Sequence, residues 1–449
     1  MTLDFQEFFQ ASNPSKTIDP CNRQDRNYYV DFSSVQGGKI IRELGRTITR
    51  LSPDEPTCQL FTGHIGCGKS TELLRLKCEL EQQDFQVIYF RSSQDLNMTD
   101  VDISDILLAI ARQVSKSLEE IKVKLRPERF ASLMQDVAKL LSTKLFSSFQ
   151  ARINDSEEVA TSSIDDAFLA EQIGLLTAKA RENKAVRSLL RQYLEPRVNL
   201  LLDLINQELI EPAIEQLKQQ GKQGLVVIID NLDRVNNKEK PSGRTQPEYL
   251  FIDRGEQLNK LNCHVVYTIP LVLFFSTDLA RLRSRFGVEP KVLPMVRVKE
   301  RDGANCEEGI ALLQHMVLGR AFPALEPEER LSKMSTVFDS RETLQRLCLV
   351  SGGHIRSLLV LLYSCLQRDD LPISRTSLEK VILQRRQERS LAIKASEWQL
   401  LRQIAQEKMI KGDESYQNLL RSLFIFEYCN SSECWFDINP LLVGAEELN

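Results

Sequence analysis

Histidine is scarce, with four in 449 residues, and none of the ten cysteines stands in a Cys-x-x-Cys pair. Structural zinc sites and disulfide-stapled scaffolds are therefore not expected. Free, mostly buried thiols in a reducing compartment are. No run of about 18 apolar residues occurs, which argues against a membrane span. The opening residues, MTLDFQEFFQASNPSK, show no basic stretch followed by an apolar one. No secretory signal is expected, and a cytoplasmic location is. Positive charge is not in excess: 58 Lys plus Arg face 62 Asp plus Glu, a formal net charge of −4. That excludes a globally basic nucleic-acid coat and leaves room for a local basic face. Repeats and low-complexity tracts are lacking.

What is there is ordinary for a folded chain, with 42% apolar and 27% charged residues. At roughly 150 residues per domain, the length suggests two to four domains. Residues 1–27 are polar and mixed. Residues 28–50 read as a loop and then an amphipathic helix from 38. The apolar run 58–62, between Pro56 and Gly63, suits a short buried strand. A helix is expected over 69–83, a strand over 86–90, and a helix over 102–118 with Ile103, Ile106, Leu107 and Ile110 on one side. Residues 119–220 hold helix formers and no convincing strand, with a polar, acidic loop at 150–165. The run 225–229 is continuously apolar and rich in β-branched residues, as a central strand covered on both faces should be. Residues 236–247 form a polar loop, 264–269 another buried strand, and 292–298 a fifth, weakened by Pro294. Beyond 300 the pattern is helical. Residues 372–449 read as a separate unit of two or three helices and then two strands, 424–428 and 435–438, around a polar turn. That is the outline of a winged helix. Trp398 and Trp435 are expected as core anchors of this unit.

The chemistry centres on Gly63, His64, Ile65, Gly66, Cys67, Gly68, Lys69, Ser70 and Thr71. They satisfy G-x-x-x-x-G-K-[ST] after an expected strand and at the start of an expected helix. Glycines let successive backbone N–H groups turn inward at a positive helix end, a nest for phosphate. Lys69 would reach the β- and γ-phosphates. Ser70 would place a hard oxygen on Mg²⁺, and Thr71 would lie near the α-phosphate. Cys67 could have its thiol pKa lowered by the helix end, although a small residue tolerated in the loop is the simpler account. His64 reads as a loop residue rather than a catalyst.

The second feature is the strand 226–229 delivering Asp230, followed by Asn231, Leu232, Asp233 and Arg234. An apolar strand ending in Asp is the magnesium-side partner of a phosphate loop. Asp230 would hold Mg²⁺ through water, and Asp233 could polarise the attacking water as a base.

Together the motifs resemble the additional-strand class of P-loop ATPases, and within it the AAA+ and STAND families. The strand ending at Thr268 is similar to their sensor 1, where a polar residue contacts the γ-phosphate or the water. Gly352, Gly353, His354, Ile355 and Arg356 resemble a sensor 2 segment, which implies that Arg356 reaches the γ-phosphate from a helical lid. Residues 372–449 resemble the winged helix that follows the lid. The resemblance implies an α/β P-loop NTPase three-layer sandwich with a mostly parallel sheet, a helical lid and a small winged-helix-like domain. The expected division is a lead-in at 1–27, core parts at 28–118 and 221–300, a helical insert at 119–220, a lid at 301–371 and the winged-helix-like domain at 372–449. The resemblance leaves the insert unexplained.

ATP and Mg²⁺ are the implied cofactors. AAA+ motors usually carry Glu directly after the magnesium Asp. Here Asn231 stands there, so activation of water falls to Asp233, as in many STAND proteins. A slow ATPase acting as a conformational or assembly switch follows, with self-assembly or a partner protein engaged through the insert or the C-terminal domain. The alternatives are a DNA-directed ATPase of initiator or loader type, with Lys380, Arg385, Arg386, Arg389 and Lys394 as local basic residues, or a nucleotide-binding scaffold with weak hydrolysis. No guanine-reading N/T-K-x-D segment is evident. Arg281, Arg283 and Arg285 are either a solvated basic helix face or a source of an arginine acting in a neighbouring subunit. Tyr28, Tyr29 and Val30 border the adenine in related ATPases; core packing accounts for them equally well.

Overall fold

The computed structural model describes residues 3–145, 166–411 and 414–448. The acidic loop expected at 150–165 lies outside them. Five strands form one parallel sheet: β1 Cys58–Gly63, β2 Phe85–Arg91, β3 Gly224–Asp230, β4 His264–Thr268 and β5 Lys291–Leu293. Their order is β2-β3-β4-β1-β5. One strand, β4, thus lies between the strand that feeds the glycine loop and the strand that ends in Asp230. The register pairs Phe61 with Thr268, Ile229 with Tyr267 and Arg91 with Asp230, which brings all their C-terminal ends to one edge. Ligands of open parallel sheets bind at that edge.

Every residue of β3 is buried, as its apolar run predicts. Alternation decides which layer each meets. Leu225, Val227 and Ile229 pack with the helix Ile103–Glu120 and the insert helices, among them Lys184–Leu194 and Val198–Leu204. Val226 and Ile228 face Ile41, Leu44, Leu73 and Leu76 on the opposite side. The insert is therefore an outer layer of the sandwich. β5 stops at Leu293 rather than reaching 298, because Pro294 has no N–H to extend a ladder.

Lid helices Glu307–Ala321, Arg341–Ser351, Ile355–Arg368 and Arg375–Ser390 share a second core with Phe8 of the lead-in. Helices Ala395–Glu407 and Glu414–Arg421 follow, then an antiparallel hairpin of β6 Ile425–Cys429 and β7 Cys434–Ile438. The elements are those expected, but the unit is not set apart. Phe426, Tyr428 and Trp435 pack into the core beneath β1 and the helix Lys69–Glu81. Trp435 thus anchors the hairpin to the sheet layer, whereas Trp398 packs within the C-terminal helices.

The expectation of free thiols is corrected at four cysteines. Cys21–Cys78 and Cys429–Cys434 are bonded pairs, and six others are free and buried. Folding, not sequence spacing, makes the pairs. The hairpin register sets Cys429 opposite Cys434, Cα atoms 4.1 Å apart, and the lead-in brings Cys21 within 5.9 Å of Cys78 on the helix after the glycine loop.

Candidate nucleotide-binding site

The glycine loop leaves β1 and enters the helix at Lys69. Gly68 holds φ at +115°, and a Cβ there would meet nothing within 4 Å. The concavity in front of the helix end is open backbone, the form a phosphate nest requires. Lys69 is buried, and its Nζ donates to the carbonyls of Gly63 and His64, each at 2.8 Å. It also pairs with Asp233 Oδ2 at 2.8 Å. Burial works against the ammonium, yet the Asp233 carboxylate holds it above its ordinary range. The other oxygen of Asp233, Oδ1, is buried without a hydrogen-bond partner.

Asp230 is reached from two sides. Its Oδ1 accepts the Asn231 N–H at 2.7 Å, and its Oδ2 accepts the Tyr89 hydroxyl at 2.7 Å. Burial, reinforced by this carboxylate, keeps the Tyr89 phenol protonated. Each carboxylate oxygen keeps acceptor capacity. Lys69, Ser70, Thr71, Asp230, Asp233 and Arg356 line one cavity of about 90 Å³. The residues fit a magnesium triphosphate: an open amide nest, one ammonium, a hydroxyl and a carboxylate on one wall, and an orphaned oxygen on Asp233. A second cavity of about 520 Å³ lies on the far side of Asp233, between Met98, Pro270 and Arg421.

Thr268 differs from expectation. It is fully buried, its hydroxyl accepts the Leu232 N–H at 3.0 Å and donates to Ile229 O at 3.2 Å, and it lines neither cavity. It braces the turn that carries Asp233. Tyr28 packs with Ala11 and Ile18, and the Tyr29 hydroxyl donates to Glu72, so both serve packing in the lead-in layer. Cys67 is buried and desolvation pushes its thiol up, which suits the simpler account of a small loop residue.

The start of the helix Ile355–Arg368 is bonded to the loop. Arg356 N–H donates to Gly66 O at 3.2 Å, and His354 Nε2 lies 2.9 Å from Ile65 O. His354 Nδ1 accepts from Ser357, which assigns the proton to Nε2. Arg356 lines the phosphate cavity, its pKa lowered by burial and then by nearby Arg234. Arg234 lines both cavities. Two guanidiniums held close together beside a phosphate nest are poised for an anion.

The hairpin grips the same loop. Glu427 N–H donates to His64 Nε2 at 3.1 Å, and Met295 N–H donates to Glu427 O at 2.9 Å. The Phe426 ring lies 5.9 Å from the His64 ring and 5.6 Å from the His354 ring, and Tyr428 OH donates to Gly352 O at 2.8 Å. His64 is thus a clasp residue.

Burial pushes His354 down to about 3. A depressed base stabilises the fold above its unfolded pKa of about 6.5, and that contribution is lost as pH falls toward 3. At pH 5 the part already lost amounts to about 2 kcal/mol. Denaturant unfolding at pH 7 and pH 5 should therefore show a smaller acid loss for His354→Gln than for the wild type. Equal losses would contradict a neutral, buried imidazole.

Sequence reasoning missed Tyr89, which donates to Asp230, and Arg234 and residues 14–17, which line the same cavity as Lys69. Tyr89 reaches Asp230 only through the pairing of β2 with β3, and no local pattern announces that. Arg281 pairs with Asp278, Arg283 with Glu289 and Arg285 with Glu256, as a solvated basic face would. Of the C-terminal basic residues, Arg386 donates to Leu441 O, Arg389 to Leu423 O, and Arg385 pairs with Glu388. Among the described residues, no helix is long and apolar enough to cross a membrane.

Residues 38–241 match the family described as the KAP family P-loop domain. No curated protein matches the chain. Among solved structures, the Aeropyrum pernix ORC1 protein in complex with DNA aligns over 96% of this chain and 93% of its own, at 12% identity and a TM-score of 0.38. A Walker-type ATPase of Pyrococcus abyssi aligns over 96% and 98%, at 12% identity and 0.40. Cdc6p from Pyrobaculum aerophilum aligns over 96% and 94%, at 12% identity and 0.37. At TM-scores below 0.5 these likenesses add nothing to the functional reading, which rests on the chain's own residues.

Proposed function

We propose that this chain binds ATP with Mg²⁺ over residues 63–71 and works as a slow, nucleotide-operated conformational switch. The observation that carries it is the buried triangle of Lys69, Asp233 and the loop carbonyls, clasped from outside by lid and hairpin. Magnesium ATP supplies the phosphoanhydride and the metal that neutralises its charge. Loop amides and Lys69 would hold the phosphates, Ser70 and Asp230 would hold the metal, and Arg356 and Arg234 would be available to the terminal phosphate. Asp233 is the base. While Lys69 holds Asp233, Oδ2 of the carboxylate is occupied by the ammonium. When Lys69 turns to the phosphates, Asp233 is released to take a proton from water. Ligand binding and activation of the base are then one event. Any shift of the loop at His64, Ile65 and Gly66 reaches the hairpin and the lid directly, which gives the two states different contacts, as a population shift requires.

The test is Asp233→Asn. ATP binding by calorimetry should persist, phosphate release should fall by about a hundredfold or more, and nucleotide-dependent changes in size or assembly should remain. Hydrolysis at the wild-type rate would remove Asp233 from its role. Wild-type turnover of many ATP per second would refute the slow switch.

A further inference from the structure

Three metal-ligating side chains converge on the C-terminal hairpin, outside the nucleotide cavity. The Glu427 carboxylate and the sulphurs of Cys429 and Cys434 present ligand atoms that all lie within 4.8 Å of one another. Strand geometry makes the cluster. Residues 427 and 429 project from the same face of β6, and the register sets Cys434 opposite Cys429. Glu427 is only 3% exposed, and its Oε2 has no hydrogen-bond partner. A buried carboxyl oxygen without donor or cation is costly, and such atoms mark a missing partner. Cys429 is buried whereas Cys434 is exposed, so the cluster opens to solvent through one sulphur. As the chain stands, the two sulphurs are bonded to each other.

We propose that this cluster is a redox-gated site for a thiophilic divalent cation of the Zn²⁺ class. In the disulfide form the sulphurs are not thiolates, and thiolate is the form that ligates. A dithiol reductant opens the site by exchange: its two thiols deliver two electrons and two protons to the Cys429–Cys434 bond and leave as their own disulfide. Both cysteines are then thiols. Binding of the cation displaces a proton from each thiol and any proton on Glu427, leaving two thiolates, one carboxylate and a water as a tetrahedral set. Zn²⁺ accepts that mixture of sulphur and oxygen. The site shares its strand with the clasp, since Glu427 also holds His64 and Met295 through its backbone. Drawing its side chain onto a metal would therefore be felt at the glycine loop. Metal binding itself does not depend on the nucleotide reading, so the two can fail separately.

The full chain, oxidised or reduced with a dithiol that is then removed anaerobically, is titrated with Zn²⁺ against a colorimetric chelator. Parallel Co²⁺ samples are read for thiolate-to-metal charge-transfer absorption. The expected result is tight zinc and cobalt–thiolate bands in the reduced protein only. Cys434→Ser and the isosteric Glu427→Gln should weaken zinc by on the order of tenfold or more, at least what loss of an outer-shell partner costs. Cys21→Ser with Cys78→Ser should leave binding unchanged, which separates this pair from the other disulfide. Cys434 is exposed, so its replacement should not disturb folding. Absence of zinc in the reduced wild type would overturn the proposal, as would unchanged affinity in Cys434→Ser or Glu427→Gln.

Discussion

Replacing Lys69 with alanine should cost the chain its nucleotide and part of its fold together. Lys69 and Asp233 are both buried, and each is the other's counter-ion. Removing one partner of such a pair leaves an uncompensated charge, at a cost of about 3–5 kcal/mol. Nucleotide affinity should fall as well, because a charge-assisted phosphate contact is worth about 1.5–3 kcal/mol, roughly tenfold to a hundredfold in affinity. The two losses are separable. In the double variant Lys69→Ala with Asp233→Asn the orphaned charge is gone, so stability should largely return while nucleotide affinity should not. Denaturant unfolding and calorimetry on the four proteins of this cycle give the answer. A double variant as unstable as Lys69→Ala alone would mean that the pair is not what Lys69 contributes to the fold.

The second large effect is expected at Gly353, just before the residues that bond the glycine loop. This residue holds φ at +70°, and a Cβ built on it would sit 1.7 Å from the carbonyl oxygen of Val296. Backbone, unlike a flexible side chain, cannot yield cheaply. Gly353→Ala should therefore combine left-handed strain with overpacking, about 3 kcal/mol in all. Gly303→Ala is the matched control, because Gly303 has φ +90° and open space around its Cβ position. The control should lose only the strain, about 1–2 kcal/mol. Amide exchange at Arg356, whose N–H rests on Gly66 O, should quicken in Gly353→Ala and stay slow in the control. Two variants of equal stability and equal exchange would show that the lid start does not press on the 294–298 segment.

The strand, glycine loop and helix of 58–81 and the buried strand ending at Asp230 are legible because each depends on residues within a few positions and on burial written in its own composition. β5 reads as reaching 298 because apolar content outweighs the missing amide of Pro294, whereas it ends at Leu293. Thr268 was placed against phosphate, but its hydroxyl answers an unmet donor, the Leu232 N–H, created by a turn on another strand. Tyr89 meets Asp230 across 141 residues of sequence, and Glu427 meets His64 across 363. Contacts of that separation follow from register and layer order, neither of which leaves a local trace. The hairpin reads as part of an independent unit because its strands alternate as any small wing would. That Phe426 and Trp435 lie beneath the sheet follows from layer order, not from local pattern.

The reach from His64 to Glu427 also bears on how the molecule is made. A ribosome delivers residues 63–71 and then Asp230 long before it delivers 425–438. Through most of synthesis the loop therefore lacks the strand that later holds it, and the site is completed only at a late stage. Early intermediates would carry the phosphate-binding signature without its restraint. Competence to sense nucleotide would then report that translation of this chain has run through to the hairpin.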